Sequence, residues 1–254
     1  SVSEYAVADR GLGLFVMWFL MGGTIFSAFA FLGGPGWAYS KGAASFYILA
    51  YAALGLLPWY VIGPKVARLG AQRNYFTMGD LLGDRYQSRT LVVIVGIVSV
   101  LAFIQYLTIQ IKGMAYVFNV LTEGHIPIWL GALIAYGIVV VYVITSGVRG
   151  AAWSDVLQAI LMLVVAWALA IYLVGHLHGG VGPMFESVAR EKPQDFLIIG
   201  GAGSAMSASA YSSAIVVSMI GFMMWPHLFT KSYTTSEKRI KLTVMAYPLF
   251  ALFL

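Results

Sequence analysis

The sequence predicts an all-α, polytopic transmembrane helix bundle, and three observations carry that prediction. Apolar residues make up 60% of the chain and charged residues 10%, against roughly 25% charged in a soluble domain. So much apolar surface finds its solvent in a bilayer, with membrane lipid as the neighbour. The apolar residues also gather into long runs between short polar loops. The basic residues, finally, sit in those loops and favour alternate ones. A pI near 9.3 would by itself fit a nucleic-acid partner. Basic residues placed at the ends of apolar runs argue for no nucleic acid. The chain has no cysteine, which excludes disulfides and thiolate metal sites.

Seven apolar runs follow in order, at about 12–33, 43–63, 91–118, 127–145, 153–175, 197–224 and 242–254. The first six are long enough to cross ~30 Å of hydrocarbon at ~1.5 Å per residue. Helices satisfy their own backbone in lipid, and these runs lack the alternation of barrel strands. The last run has 13 residues, and a span needs about 20. With a start at Ser1 rather than Met, the expectation is one truncated transmembrane domain. No signal peptide is read, because the first apolar run is too long for one.

If Arg10 is cytoplasmic, only Lys41, Lys112, Arg190 and Lys192 of the 15 basic residues fall outside. That bias follows the positive-inside rule and sets six crossings. Trp37, Tyr39, Trp59, Tyr60, Trp129 and Trp225 lie near run ends, as interfacial belts do. In the loop 63–89, Thr77 and Asp80 predict the capped start of a short surface helix. A second long loop, 176–195, carries a polar stretch around Phe185–Glu191 that could form an external helix.

The first run is interrupted in its middle. Gly22-Gly23-Thr24-Ile25-Phe26-Ser27-Ala28-Phe29 precedes Phe31-Leu32-Gly33-Gly34-Pro35-Gly36. Glycine and proline weaken a helix and free carbonyls that lipid cannot satisfy. Interrupted transporter helices use such carbonyls to hold ions and solutes. The carbonyls of Gly23 and Phe26 with the Ser27 hydroxyl would suit Na⁺, a hard cation. The same small residues equally serve close helix packing, and Gly33–Gly36 equally serve as a helix end.

Asp155 opens an almost purely apolar fifth run, at a depth where a carboxylate is expensive and usually functional. Alternatively Ser154 caps that helix and Asp155 favours its positive end. Gln105 and Gln110 of the third run are expected to face the bundle interior, as interhelical bonds or as solute contacts. The sixth run carries Ser204, Ser207, Ser209, Ser212, Ser213 and Ser218, then Gly221 and Pro226, which permit a second break. Two interrupted segments five runs apart are the arrangement that marks a binding site between repeats. No phosphate loop, zinc motif or nucleophile elbow is present. His125, His176, His178 and His227 are scattered.

Four stretches carry a family resemblance. Ser3-Glu4-Tyr5-Ala6-Val7-Ala8-Asp9-Arg10-Gly11-Leu12-Gly13 resembles the lead-in of the sodium:solute symporter family, which includes sodium/glucose, sodium/proline and sodium/monocarboxylate carriers. Phe26–Phe29 with Phe31–Tyr39 resembles its first core helix, and Gly150–Gln158 its fifth. Trp225-Pro226-His227 followed by Lys231 is similar to the end of its sixth.

The resemblance implies an inverted five-plus-five repeat transporter fold, of which the chain holds the first repeat, the sixth core helix and the start of the seventh. It implies an integral, multi-pass protein of a bacterial or archaeal cell membrane. The implied activity is sodium-coupled symport of a small organic solute by alternating access, with no enzyme chemistry. Na⁺ is the implied coupling ion. Its half-site would be Gly23, Phe26 and Ser27, with Asp155 on the ion path and the other half on core helix eight. Phe29, Phe31, Gln110 and Ser218 would contact the solute. Ile25 stands where proline carriers have an aspartate, and Trp225 where glutamine is usual. The apolar first helix resembles carriers of small monocarboxylates. A symporter-like sensor fused to a signalling kinase has the same helices and is the alternative. Nothing in the residues sets an oligomeric state.

Overall fold

The computed structural model describes residues 1–200 and 204–251 of the chain. Parts of the sixth and seventh predicted runs, 201–203 and 252–254, lie outside the described residues. The described elements are all helical. They are α1 (Val2–Val7), α2 (Leu14–Gly23), α3 (Gly34–Lys41), α4 (Tyr47–Leu54), α5 (Trp59–Arg73), α6 (Met78–Tyr86), α7 (Arg89–Leu121), α8 (Ile128–His178), α9 (Val181–Glu191), α10 (Ala208–Phe222), α11 (Pro226–Lys231), α12 (Glu237–Ala246) and α13 (Pro248–Ala251).

Among these, α7 and α8 are each long and apolar enough to cross a membrane. Three further candidate spans are bent pairs, giving up to five by length and composition. Six crossings were expected, with the runs at 127–145 and 153–175 counted as two of them. The stretch labelled α8 is two helices joined across a kink at Gly147 (φ 61°, ψ −163°), one on each of those runs. A side chain at Gly147 would also strike Tyr5, at 2.9 Å. The kink leaves about 28 Å of helix before it, one bilayer's worth.

Other boundaries differ for local reasons. The second run does not stay straight over 43–63: turns at 55–58 bend it by 41°, and helix resumes to Arg73. Helix α10 starts only at Ala208, where the Ser207 hydroxyl accepts from the Ala210 N–H. The last run divides into α12 and α13 around Tyr247-Pro248. Gly33–Gly36 is no helix end, since α3 runs on to Lys41 with Pro35 in its first turn.

The loop helices follow their capping signals. Thr77 and Asp80 form the reciprocal capping box of α6. Beside it Asp84 accepts hydrogen bonds from Tyr75 and Arg73. The Tyr75 hydroxyl, helped by the Arg73 charge, holds the Asp84 carboxyl below the usual carboxylate range. Helix α9 forms the second long loop's helix.

The buried core sits between α2, α5, α11, α12 and α13, with Met17, Leu56, Trp59, Tyr233, Tyr247 and Phe250 almost wholly enclosed. Trp59 was placed at an interface by sequence. Instead it is 1% exposed and its indole N–H donates to Ser232 Oγ at 2.8 Å. Helices α7 and α8 show apolar side chains outward along their length, as lipid-facing helices do.

A strap of hydrogen bonds closes the Arg10 end of this core. Arg10 donates to the carbonyls of Tyr233 (3.1 Å) and Tyr75 (3.0 Å). The Leu12 N–H donates to the Thr234 carbonyl, and Thr235 Oγ1 to the Leu12 carbonyl. The loop between α1 and α2, bent by 104°, is thereby tied to the segment after α11.

Candidate functional site

Helix α2 stops at Gly23, and residues 24–27 are not helical. The chain re-enters helix through a wide π-type stretch, Phe29–Gly33. Within the break the Ile25, Phe26 and Ser27 N–H groups donate back to Gly22, Gly23 and Ile25 carbonyls. The Ala28 N–H donates instead to Gln110 Oε1 on α7, at 2.8 Å. A side chain thus replaces the missing helical partner, as a buried donor requires.

A second interruption lies at 223–225, between α10 and α11, with a 50° bend. Gly221 precedes it and Pro226 follows, and the Pro ring tolerates the first turn of α11. The two breaks open on one cavity of about 680 Å³. Thr24, Ile25 and Ser27 line it from the first break, and Phe222, Trp225 and His227 from the second. Tyr106 and Gln110 of α7 and Tyr51 of α4 add polar groups, and Phe185 and Phe196 close one side. His227 stacks on Tyr106, with ring centroids 5.3 Å apart, and lies 5.8 Å from Trp225. Its Nδ1 is buried with no hydrogen-bond partner among the described residues.

The sequence-expected residues divide. Ser27, Phe29 and Gln110 line the cavity. Phe31 and Ser218 do not: Phe31 is 40% exposed, with its ring 5.7 Å from that of Phe26, and Ser218 is half-buried on α10. Phe26 turns its ring to Phe250, at 5.0 Å, so only its backbone is offered to an ion. Gly23 packs against the fifth run. A Cβ there would meet Ala159 Cβ at 3.4 Å and the Asp155 carbonyl at 3.5 Å. This glycine therefore serves close packing and also brings Asp155 beside the break. Gln105, expected inside, is exposed.

Asp155 is no helix-start residue, because α8 is helical from Val148 onward. Its carboxylate lies 3.9 Å from Lys231 Nζ. Lys231, counted by sequence among loop charges, is instead packed against the break with its side chain 14% exposed. Its ammonium donates to the Leu20 carbonyl at 2.8 Å and to Thr24 Oγ1. The residues that sequence reasoning passed over are Thr24, Tyr51, Tyr106, His227 and Lys231. The signal available was the position of His227 and Lys231 on the short helix just after the second break.

Two interrupted helices facing one partly polar cavity, in a bundle of membrane-length helices, are the arrangement in which membrane transporters place ion and solute sites. The comparisons name the kind. The profile of the "Sodium:solute symporter family" matches residues 5–254, and the chain belongs to that family. It is 35% identical to "Uncharacterized symporter YhjB" of Bacillus subtilis over 100% of this chain and 52% of the relative. It is 31% identical to the "Sodium/pantothenate symporter" of Escherichia coli, over 94% of this chain and 49% of that protein. A "Monocarboxylate transport permease protein" of Rhizobium johnstonii is 26% identical over 100% and 51%. The chain thus spans about half the length of the curated relatives it matches. No solved structure is significantly similar to it. The family consists of membrane transporters rather than enzymes.

Proposed function

We propose that this chain forms part of a sodium-coupled symporter whose ion and solute meet at the paired breaks. The observation that carries the reading is that both interruptions open on one cavity. The Gly23 and Phe26 carbonyls and the Ser27 hydroxyl form the chain's share of the Na⁺ shell. The Gly23 carbonyl already accepts one backbone bond, at 3.1 Å, and a carbonyl oxygen keeps a second lone pair. Na⁺ there would favour the state in which the Gly22–Ala28 break is ordered, and with it the Gln110 contact. Solute binding to that same state is all that coupling needs.

The solute class we favour is a small monocarboxylate. Two relatives are named for organic acids. The cavity suits such an anion: Phe29, Phe196 and Phe222 accept an apolar body, while the Gln110 amide N–H and His227 offer hydrogen bonds to a head group. Phe29 and Gln110 keep the solute roles expected of them. His227 joins them in place of Phe31 and Ser218.

The test is uptake of labelled short monocarboxylates, amino acids and sugars by vesicles carrying the whole protein, with and without an inward Na⁺ gradient. Gradient-driven uptake of a monocarboxylate, weakened in Ser27→Ala and Gln110→Ala, is the expected result. Uptake indifferent to Na⁺ at normal expression contradicts the reading.

A further inference from the structure

The basic residues on the side that the positive-inside bias makes cytoplasmic are not spread evenly over it. Lys65 and Arg68 on α5 and Lys238 and Lys241 on α12 line one cleft of about 660 Å³ between the two helices. Helical spacing explains the convergence. Positions 61, 64, 65 and 68 share one face of α5, and positions 238, 241 and 245 share one face of α12. The helices run antiparallel here: Arg68 Nη1 lies 4.0 Å from Glu237 Oε1, and Lys241 Nζ stands 4.7 Å from the centre of the Tyr60 ring. Their basic ends therefore coincide, and so do their apolar ends. Arg239 is engaged elsewhere, donating to the Gly11 and Leu12 carbonyls.

One carboxylate answers these four cations. Glu237 meets Arg68 in a half-exposed pair, which contributes little in water. Lys65, Lys238 and Lys241 form no ion pair among the described residues. The cleft also continues into apolar surface. Val61 lines it, and Met245 and Leu249 lie exposed further along the chain from Lys241, toward the membrane. The positive-inside rule explains why basic residues lie on this side. It does not ask two helices distant in sequence to pool them in one concave place above an apolar wall.

We propose that the cleft between α5 and α12 binds an anionic glycerophospholipid of the cytoplasmic leaflet. Lys65, Arg68, Lys238 and Lys241 hold its phosphate, and Val61, Met245 and Leu249 carry its acyl chains. Basic pockets between helices on the cytoplasmic side of a membrane suit such head groups. The guanidinium offers a fork to phosphate oxygens, and each ammonium a mobile point charge. The Tyr60 ring holds the Lys241 ammonium at the level where a head group lies. A zwitterionic lipid brings its own cation into this field and gains less. Glu237 competes with the phosphate for Arg68. The inference needs only that the chain spans a membrane, and it is independent of the solute carried.

The test is a lipid titration of the purified whole protein in mild detergent, read by native mass spectrometry, which needs no transport activity. The probes are dioleoylphosphatidylglycerol, dioleoylphosphatidylcholine and the water-soluble head group glycerophosphoglycerol. In wild type the phosphatidylglycerol should bind about tenfold or more tightly than either of the others. Lys65→Gln with Lys238→Gln should weaken it by about tenfold or more. The charge-matched pair Lys41→Gln with Arg190→Gln, on the opposite side, should leave it unchanged. Glu237→Gln frees Arg68 and should tighten it by about twofold or more, a gain that misfolding cannot imitate. Equal binding of the two lipids to wild type overturns the proposal, as does an equal effect of the two double variants. Failure of Glu237→Gln to tighten binding overturns it as well. Head group bound as tightly as the lipid overturns it in favour of a site for a soluble phosphate compound.

Discussion

The long helices α7 and α8 and the interrupted pairs around 24–28 and 223–225 are built from similar apolar residues, yet they meet different surroundings. Leu101, Ile104, Val141 and Ile144 on α7 and α8 are more than half exposed, whereas Met17, Leu20, Met21 and Phe229 beside the breaks are nearly enclosed. An unbroken helix satisfies its backbone internally and can rest in lipid. A broken one must find partners for freed groups, and here it finds them in Gln110, Thr24 and Lys231. Polar chemistry thus collects where the helix fails. The lesson is that apolar content marks the membrane, while interruptions mark the work.

The largest effect expected from this contrast is at Gly22. A Cβ there would sit 2.4 Å from the ring of Phe250, which is fully buried. Gly22→Val should cost at least the ~1–3 kcal/mol of overpacking and remove most of the monodisperse protein from size-exclusion profiles. Adding Phe250→Ala should restore part of it.

Next comes the strap. Arg10→Ala leaves the Tyr75 and Tyr233 carbonyls without their charged donor. A loss of about 1–3 kcal/mol is expected, read as a fall in Tm with the fold intact. Gln110→Leu is smaller in stability but larger in function. The Ala28 N–H loses its partner, and about tenfold weaker uptake (~1.4 kcal/mol) is expected at normal expression. Smallest is Leu101→Ala on the lipid-facing side of α7. Tm and uptake should both match wild type within error, and a clear loss there would break the contrast.

Much of this was legible from residues alone. Gly22-Gly23 and Pro35 announced an interruption in the first run, and Gly221 with Pro226 announced the second, because glycine and proline act through local backbone. Thr77 and Asp80 announced α6 for the same reason. What stayed hidden depends on distant partners. Trp59 looks interfacial until Ser232, 173 positions later, accepts its N–H. Lys231 looks like a loop charge until α11 lays it against Leu20 and Thr24. Within Ser146-Gly147-Val148-Arg149-Gly150, which reads as a loop, only Gly147 leaves helical geometry, so the two runs meet at a kink rather than across an extended loop. Phe31 and Ser218 were assigned from the family resemblance and from nearness to the expected breaks, which do not fix the way a side chain faces.

The central claim is that both breaks serve one ligand. The described chain has no cysteine, so cysteines can be placed singly at Ile25 in the first break, at Trp225 in the second, and at Leu101 on α7. In the whole protein, with any cysteine elsewhere removed, the measurement is the rate of labelling by a small maleimide, with and without Na⁺ and a transported monocarboxylate. Na⁺ plus solute should slow labelling at both Ile25→Cys and Trp225→Cys several-fold and leave Leu101→Cys unchanged. Protection at only one break, or at neither, would contradict a shared site.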